Sequence, residues 1–176
     1  MNMEHLADDQ FTELYEEIFP ILIRIAYNIT GSMSVSEDLC QEAFIKYLNR
    51  GAALPSKDQT RYWLIRVVKN LCFNHEKRKI RERKAYNRVL NEPKKSPASG
   101  EDEYLKKETN EIIRIALNKI PKKLRTALIL REYGDLNYKE IGGILHISEG
   151  NVKVRVFRAR NFLENLLDKE ELYVSE

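Results

Sequence analysis

The stretch that decides the fold of the C-terminal part of this chain is Tyr138-Lys-Glu-Ile-Gly-Gly-Ile-Leu145, followed by His146-Ile-Ser148 and then Glu149-Gly-Asn-Val-Lys-Val-Arg-Val-Phe-Arg-Ala-Arg160. Two helical patterns joined by a short turn are typical of a helix-turn-helix. The first helix carries glycines at its fifth and sixth positions, Gly142 and Gly143, at a propensity cost of about 1 kcal/mol each relative to alanine. We expect both to lie where the second helix crosses closely.

The second helix of this motif has an apolar face and a basic face. The inward stripe at helical spacing consists of Val152, Val156, Ala159, Leu163 and Leu166. Ser148 can cap the helix, whose N-terminal amides then favour phosphate. Asn and Arg side chains can read base edges, Val can meet a thymine methyl, and Lys and Arg suit phosphates. The candidate residues for duplex DNA are Ser148, Asn151, Lys153, Val154, Arg155, Arg158 and Arg160. An ordinary amphipathic hairpin with a charged surface is the structural alternative.

The chain upstream of this motif divides at a segment that is poor in apolar residues. Residues 91–103 are rich in Pro, Ser and charged side chains, a composition that predicts a flexible linker. We therefore predict one domain over residues 8–90, the linker over 91–103 and a second domain over 104–168. Only 7 Gly and 5 Pro occur in 176 residues, which favours an all-α fold of two small helical domains.

Three helices are predicted in the first domain. The first runs from Phe11 to Thr30, and Pro20 in its interior predicts a kink or two helices that meet there. An S-x-x-E spacing that begins at Ser34 is that of a capping box and starts the second helix. Thr60 is the expected cap of the third helix, which continues through the basic block from His75 to Arg88.

The second helix has two different faces. Its apolar stripe, Cys40, Ala43, Phe44 and Tyr47, is expected to face the core. A mostly acidic set falls on another side: Asp38, Gln41, Glu42 and Ile45.

The third helix combines a core face with an aromatic and basic one. The core face is Leu64, Val67, Val68, Leu71 and Cys72. Another side carries Tyr62, Arg66, Lys69, Asn70, Phe73 and Lys77. Aromatic rings between cations suit single-stranded nucleic acid, because rings stack on unpaired bases while cations follow the phosphates. In the alternative interpretation Tyr62 and Phe73 pack against a neighbouring helix and the cations are solvated.

Several function classes lack support in the sequence. Cys40 and Cys72 lie in apolar segments without zinc-ligand spacing, which predicts buried free thiols in a reducing compartment. The three histidines are far apart and no Gly-rich phosphate loop occurs, so we expect no enzyme, no metal site and no cofactor. No apolar stretch approaches the roughly 20 residues of a membrane span, and the N-terminus is acidic, so a cytoplasmic protein is expected.

Motifs in both halves resemble one protein family. Ser36-Glu-Asp-Leu-Cys-Gln-Glu-Ala-Phe-Ile-Lys46 is similar to the "AEDLxQExFxK" signature of region two in extracytoplasmic-function sigma factors. Trp63-Leu-Ile-Arg-Val-Val-Lys-Asn-Leu71 resembles its "WLxxIAxNxxxD" continuation. After the linker, Leu117 to Glu132 is similar to the family's "LPxxxRxvfxLRe" stretch, and the helix-turn-helix ends in the matching Arg158-Ala-Arg160.

The resemblance implies an alternative sigma factor that binds core RNA polymerase and recognises the −35 and −10 promoter elements. The acidic helix would dock on the polymerase through Asp38, Gln41, Glu42 and Ile45. The third helix and the loop from Gly51 to Gln59 would capture one promoter strand, and the helix-turn-helix would read the upstream duplex. An anti-sigma factor is a further partner that the family suggests. The competing hypothesis is an independent helix-turn-helix regulator that binds duplex DNA without polymerase.

Overall fold

The computed structural model describes the backbone of residues 3–51, 54–90 and 115–174, and side chains within 11–51, 54–86 and 115–166. The helices are α1 (Met3–Thr30), α2 (Met33–Leu48), α3 (Lys57–Leu90), α4 (Lys122–Tyr133), α5 (Tyr138–Leu145) and α6 (Glu149–Val174), and residues 115–119 are also helical. Within these ranges no strand occurs, which confirms the all-α prediction. The expected linker at 91–103 and the start of the second domain at 104 lie outside the described residues.

The first helix is continuous through its proline. α1 begins at Met3, earlier than the predicted Phe11, and the expectation of two helices meeting at Pro20 is wrong. Pro20 is exposed, whereas Ile18 and Leu22 on either side are buried. The proline ring faces solvent, and the buried Ile18 and Leu22 hold the turns on either side of it. Tertiary packing therefore offsets the loss of the backbone hydrogen bond that proline cannot donate.

The caps of α2 and α3 differ from those predicted. Ser32, with an extended backbone at φ −132° and ψ 125°, accepts a first-turn amide at 3.5 Å, whereas Ser34 is already helical. Ser56 in the same way accepts a first-turn amide of α3 at 3.2 Å. Thr60 lies buried inside α3, where its hydroxyl donates to the Ser56 carbonyl at 3.1 Å. A cap requires a non-helical backbone, which sequence spacing alone does not establish.

One cluster of buried apolar side chains connects the two halves of the molecule. The N-terminal half contributes Ile18, Leu22, Ile25, Phe44, Leu64 and Val68, and the C-terminal half contributes Ile129, Leu130, Leu136, Ile141, Ile144 and Val152. The predicted core stripes of α2 and α6 are buried as expected at Cys40, Ala43, Phe44, Val152, Val156 and Ala159. α1 packs against α4, so the halves that the sequence separates are in contact.

Both cysteines are buried and free, as predicted. Burial raises the pKa of the Cys40 thiol and of the Cys72 thiol to about 12 each, so neither is a reactive thiolate near neutral pH. Among the described residues no group of three or more His, Cys, Asp or Glu side chains could hold a metal ion. The helices in the described ranges also lack the length and apolar content required to cross a membrane.

Candidate nucleic-acid and protein interfaces

The acidic side of α2 is accessible. Asp38 and Gln41 are exposed, Glu42 is half-exposed and pairs with Lys46 at 3.3 Å, and 56% of Ile45 is exposed. We call Asp38, Gln41, Glu42 and Ile45 the α2 face. Because the opposite side of the helix is buried in the core, these side chains are available to a partner without any disturbance of the fold. An exposed aliphatic residue beside carboxylates suits a protein surface.

One exposed apolar residue next to the α2 face was not among the predicted site residues. Leu48 follows Ile45 by three positions and 58% of it is exposed. Residues three apart are neighbours on a helix surface. The two side chains therefore extend the apolar part of the α2 face toward the end of the helix, and the i, i+3 spacing was the signal that could have identified it.

The aromatic and basic side of α3 is only partly open. We call Tyr62, Arg66, Lys69, Asn70, Phe73 and Lys77 the α3 face; Arg66, Asn70 and Lys77 are exposed, Tyr62 and Phe73 are half-buried, and Lys69 is buried. The Lys69 ammonium donates to the Asn70 side-chain oxygen at 2.9 Å and lies 5.4 Å from the centre of the Phe73 ring. Burial, followed by the nearby Arg66 and Lys77 charges, lowers the pKa of Lys69.

The C-terminal half covers the two aromatic residues of the α3 face. The Lys122 ammonium at the start of α4 lies 4.6 Å from the centre of the Phe73 ring. A Cβ atom at Gly143 in α5 would lie 2.7 Å from the Tyr62 hydroxyl. Tyr62 and Phe73 are therefore half-buried against neighbouring helices, as in the alternative interpretation. These neighbours include α4 and α5 of the C-terminal half.

The helix-turn-helix has the predicted boundaries. α5 ends at Leu145, His146 adopts the left-handed conformation at φ 55°, and α6 begins at Glu149. The Ser148 hydroxyl accepts the Asn151 amide at 3.3 Å, which confirms the predicted cap. Together these contacts fix the N-terminus of α6, whose amides can meet a phosphate.

A second capping contact was missed. The Asn137 side chain accepts the Glu140 amide at 2.9 Å, and the Glu140 carboxylate accepts the Asn137 amide at 2.7 Å. This reciprocal capping box starts α5. An Asn and a Glu three residues apart before an apolar run was the available signal.

The two adjacent glycines of α5 have different surroundings. A Cβ at Gly142 would lie 2.7 Å from the Ile147 carbonyl oxygen and 3.6 Å from the Glu149 amide, as expected for a close approach of the turn and α6. The same expectation for Gly143 is wrong, because Gly143 is exposed on the helix-turn-helix and faces Tyr62 instead. Successive residues of an α-helix point about 100° apart, so the two cannot face the same neighbour.

The outer side of α6 carries the predicted duplex-DNA residues. Asn151, Lys153, Val154, Arg158 and Arg160 are exposed, and Arg155 is half-buried. Lys153 pairs with Glu149 at 2.8 Å, and Arg160 pairs with Glu132 at 2.6 Å. The hydrogen bond from Lys153 lowers the pKa of Glu149. Phe157, which sequence analysis did not select, is 64% exposed on the same helix. We call Ser148, Asn151, Lys153, Val154, Arg155, Arg158 and Arg160 the α6 face.

Comparisons with known proteins match both halves. The Sigma-70 region 2 family model matches residues 14–82, and the Sigma-70 region 4 model matches residues 110–163. The extracytoplasmic-function (ECF) RNA polymerase sigma factor SigW of Bacillus subtilis is 30% identical over 171 residues, which cover 90% of this chain and 89% of SigW. The ECF sigma factor SigE of Mycolicibacterium smegmatis is 29% identical over 94% of this chain. The chain covers 65% of that SigE, just under two thirds of its length.

Solved structures share the fold. The sigma factor RpoE of Bartonella quintana, in complex with the anti-sigma factor NepR, has a TM-score of 0.71 and 24% identity, over 90% of this chain and 97% of that one. The ECF sigma factor SigJ of Mycobacterium tuberculosis has a TM-score of 0.56 and 18% identity, over 88% of this chain and 52% of that one. Both likenesses concern the fold.

Proposed function

The chain belongs to the extracytoplasmic-function sigma factors of the sigma-70 family, and we propose that it works through the α2, α3 and α6 faces. It is an alternative sigma factor that binds core RNA polymerase and promoter DNA and directs transcription initiation. The observation that carries this function is the match of region 2 and region 4, in that order, on one chain. An independent regulator would need the helix-turn-helix but not region 2.

The α2 face is the proposed contact with the polymerase. Its support is a pair of carboxylates, the exposed Asp38 and the half-exposed Glu42, beside the exposed Ile45, on a helix whose other side is buried. Oppositely charged side chains on the polymerase would steer association, and the aliphatic contact would hold the complex.

The α3 face is the proposed site for one strand of the −10 element. Phe73 and Tyr62 provide half-buried rings on which unpaired bases can stack when Lys122 and α5 move away from them, and Arg66 and Lys77 are exposed cations that can follow the phosphates. Extrusion of a base from the duplex costs a few kcal/mol. Stacking at about 1–3 kcal/mol per base offsets that cost.

The α6 face is the proposed reader of the −35 element. The capped N-terminus at Ser148 suits a phosphate, and Asn151, Arg155 and Arg158 have the chemistry to contact base edges in the major groove. Lys153 already pairs with Glu149, so its contact with a phosphate requires exchange of that partner.

The polymerase supplies the catalysis in this proposal, and this chain supplies promoter recognition without a cofactor. Its place of work is then the cytoplasm, where bacterial RNA polymerase acts. The solved structure of RpoE from Bartonella quintana contains the anti-sigma factor NepR. An inhibitor of that class is a candidate partner of this chain.

Run-off transcription tests the function. Purified core polymerase is given a genomic fragment library with and without this protein, and new transcript starts are sequenced. Starts that depend on the protein and share two spaced upstream elements are the expected result. Tight binding to duplex DNA without any polymerase-dependent start would favour the independent regulator.

A charge reversal tests the α2 face. We expect Asp38→Lys with Glu42→Lys to weaken co-purification with core polymerase by at least tenfold, because attraction becomes repulsion. The matched control is Glu16→Lys with Glu164→Lys, which changes the net charge equally at exposed positions outside the three faces. Equal retention of polymerase by both variants, each with unchanged helicity, would reject the docking assignment.

A further inference from the structure

Lys69 is a buried cation within the α3 face. Only 6% of Lys69 is exposed, whereas Arg66 and Lys77 reach solvent. Burial of an ammonium is unfavourable unless acceptors satisfy it. Among the described residues its hydrogen-bond partner is the Asn70 side-chain oxygen, at 2.9 Å. Lys69 therefore depends on Asn70 for its acceptor.

The surroundings of Lys69 strengthen this dependence. Burial, followed by the positive charges of Arg66 and Lys77, lowers the pKa of Lys69. Within the described ranges no carboxylate forms an ion pair with its ammonium. The Phe73 ring, whose centre lies 5.4 Å from the ammonium, adds a cation–π contact but no hydrogen-bond acceptor. The Asn70 oxygen is thus the acceptor that offsets the burial of this charge.

The bond with Lys69 fixes which end of the Asn70 carboxamide faces the protein. An ammonium has three donors and no acceptor, so it pairs with the oxygen of the carboxamide and not with its NH₂ group. Since Lys69 is buried and Asn70 is exposed, the oxygen is directed toward the protein and the NH₂ group toward solvent. An unpaired Asn could exchange the two ends by rotation about its last torsion.

Asn70 also lies next to a ring on which a base can stack. Phe73 follows Asn70 by three positions, and residues three apart are neighbours on a helix surface. A base on Phe73 therefore has its edge near the carboxamide. Asn usually reads adenine with both ends, because its oxygen accepts from the adenine amine and its nitrogen donates to N7. With the oxygen held by Lys69, Asn70 presents donors, which suit a carbonyl oxygen and oppose the adenine amine.

We propose that Lys69 is a positioning residue that makes Asn70 a hydrogen-bond donor toward the promoter strand. The α3 face then selects an unpaired base whose edge presents a carbonyl acceptor and disfavours adenine. Lys69 acts through Asn70 and does not contact the base. The proposal rests on the single-strand role assigned to the α3 face.

Lys69→Met is the variant that releases the Asn70 carboxamide. Met is similar in length but has no donor, and an apolar replacement of a buried charge is often neutral or stabilising, so the fold is expected to persist. Lys77→Met is the matched control, because it removes the same charge from an exposed position of the same face. Asn70→Asp is a second test: it keeps an acceptor for Lys69 but has no donor for a base.

The measurement uses fluorescein-labelled oligodeoxynucleotides of about nine abasic nucleotides with a single base at the centre, without polymerase. That base is adenine or hypoxanthine, two purines of matched size that carry an amine or a carbonyl at the same position. We expect the parent to bind the hypoxanthine probe at least about fivefold more tightly than the adenine probe.

The variants should change this ratio in different ways. In Lys69→Met we expect a ratio below about twofold, because a rotating carboxamide can meet either purine. Lys77→Met should weaken both complexes equally and keep the parent ratio, as a phosphate contact does. Asn70→Asp should favour adenine, because its carboxylate accepts from the amine.

The possible failures are distinct. A parent ratio retained by Lys69→Met, with unchanged helicity, overturns the positioning role. A parent that binds both purines equally, but more tightly than an entirely abasic probe, overturns the selection against adenine and leaves the α3 face a single-strand site. A parent that gains no affinity from either base rejects the single-strand role of the α3 face and this proposal with it. Run-off transcription tests separately whether the chain directs initiation.

Discussion

The capping box at the start of α5 offers a sharp test of how the helix-turn-helix is held. Asn137→Ala removes the side-chain oxygen that accepts the Glu140 amide at 2.9 Å. It also releases the Glu140 carboxylate from its reciprocal role at the Asn137 amide. α5 has only 8 residues, and helices this short do not form alone in water. Loss of the cap is therefore expected to destabilise the whole helix-turn-helix rather than only the first turn of α5.

The magnitude follows from these two hydrogen bonds. Replacement of an N-cap Asn by Ala costs about 0.5–2 kcal/mol, typically about 1. With the reciprocal contact weakened as well, we expect the free energy of unfolding to fall by about 1–2 kcal/mol. For a cooperative unit of roughly 150–250 residues, each kcal/mol lowers Tm by about 2–4 °C. The expected decrease in Tm is therefore about 2–8 °C.

Urea denaturation followed by circular dichroism measures this change. Asn137→Asp is the matched control, because its carboxylate still accepts the Glu140 amide, and we expect it to stay within about 0.5 kcal/mol of the parent. A loss below about 0.3 kcal/mol for Asn137→Ala, or an equal loss for Asn137→Asp, would refute the capping explanation. Unchanged m-values are needed for the comparison.

Two further predictions concern the α6 face and the buried thiols. Arg155→Ala should weaken binding to the upstream duplex element by about 1–3 kcal/mol if Arg155 contacts a base; an equal loss on unrelated duplexes in a gel-shift assay would make it a phosphate contact. Cys40 and Cys72 should resist alkylation by iodoacetamide in the native protein and react after unfolding in urea, because the pKa of each is raised to about 12. Alkylation of the native protein at the rate of the unfolded protein would contradict the burial of both thiols. Because the pKa of each thiol is near 9.0 in the unfolded chain and about 12 in the folded one, the free energy of unfolding should fall as pH rises through that window.

Local spacing predicted helices better than it predicted their caps. The boundaries of α5 and the beginning of α6 agree with the expected ones, because apolar periodicity and the turn after Leu145 are local signals. The caps at Ser32 and Ser56 were missed, although each lies within four residues of the expected one, Ser34 or Thr60. Two hydroxyl side chains near a helix start compete for the capping role, and backbone dihedral angles decide between them.

Periodicity likewise identified the core side of α2 and of α6. Cys40, Ala43 and Phe44 in α2 and Val152, Val156 and Ala159 in α6 are buried, because residues three and four apart share a face of any α-helix. Family motifs, carried by order and spacing, identified the two regions that the comparisons then matched. These properties depend on short stretches of chain, and the sequence alone determined them.

The relation between the halves was decided only by tertiary structure. Lys69 was expected on the cationic α3 face but is buried, and Gly143 was expected to face α6 but faces Tyr62. Contacts such as Arg61 with Asp135 join residues 74 apart in sequence. No local pattern reports such a contact, because its formation depends on how two separately patterned helical units dock through a shared cluster of buried side chains.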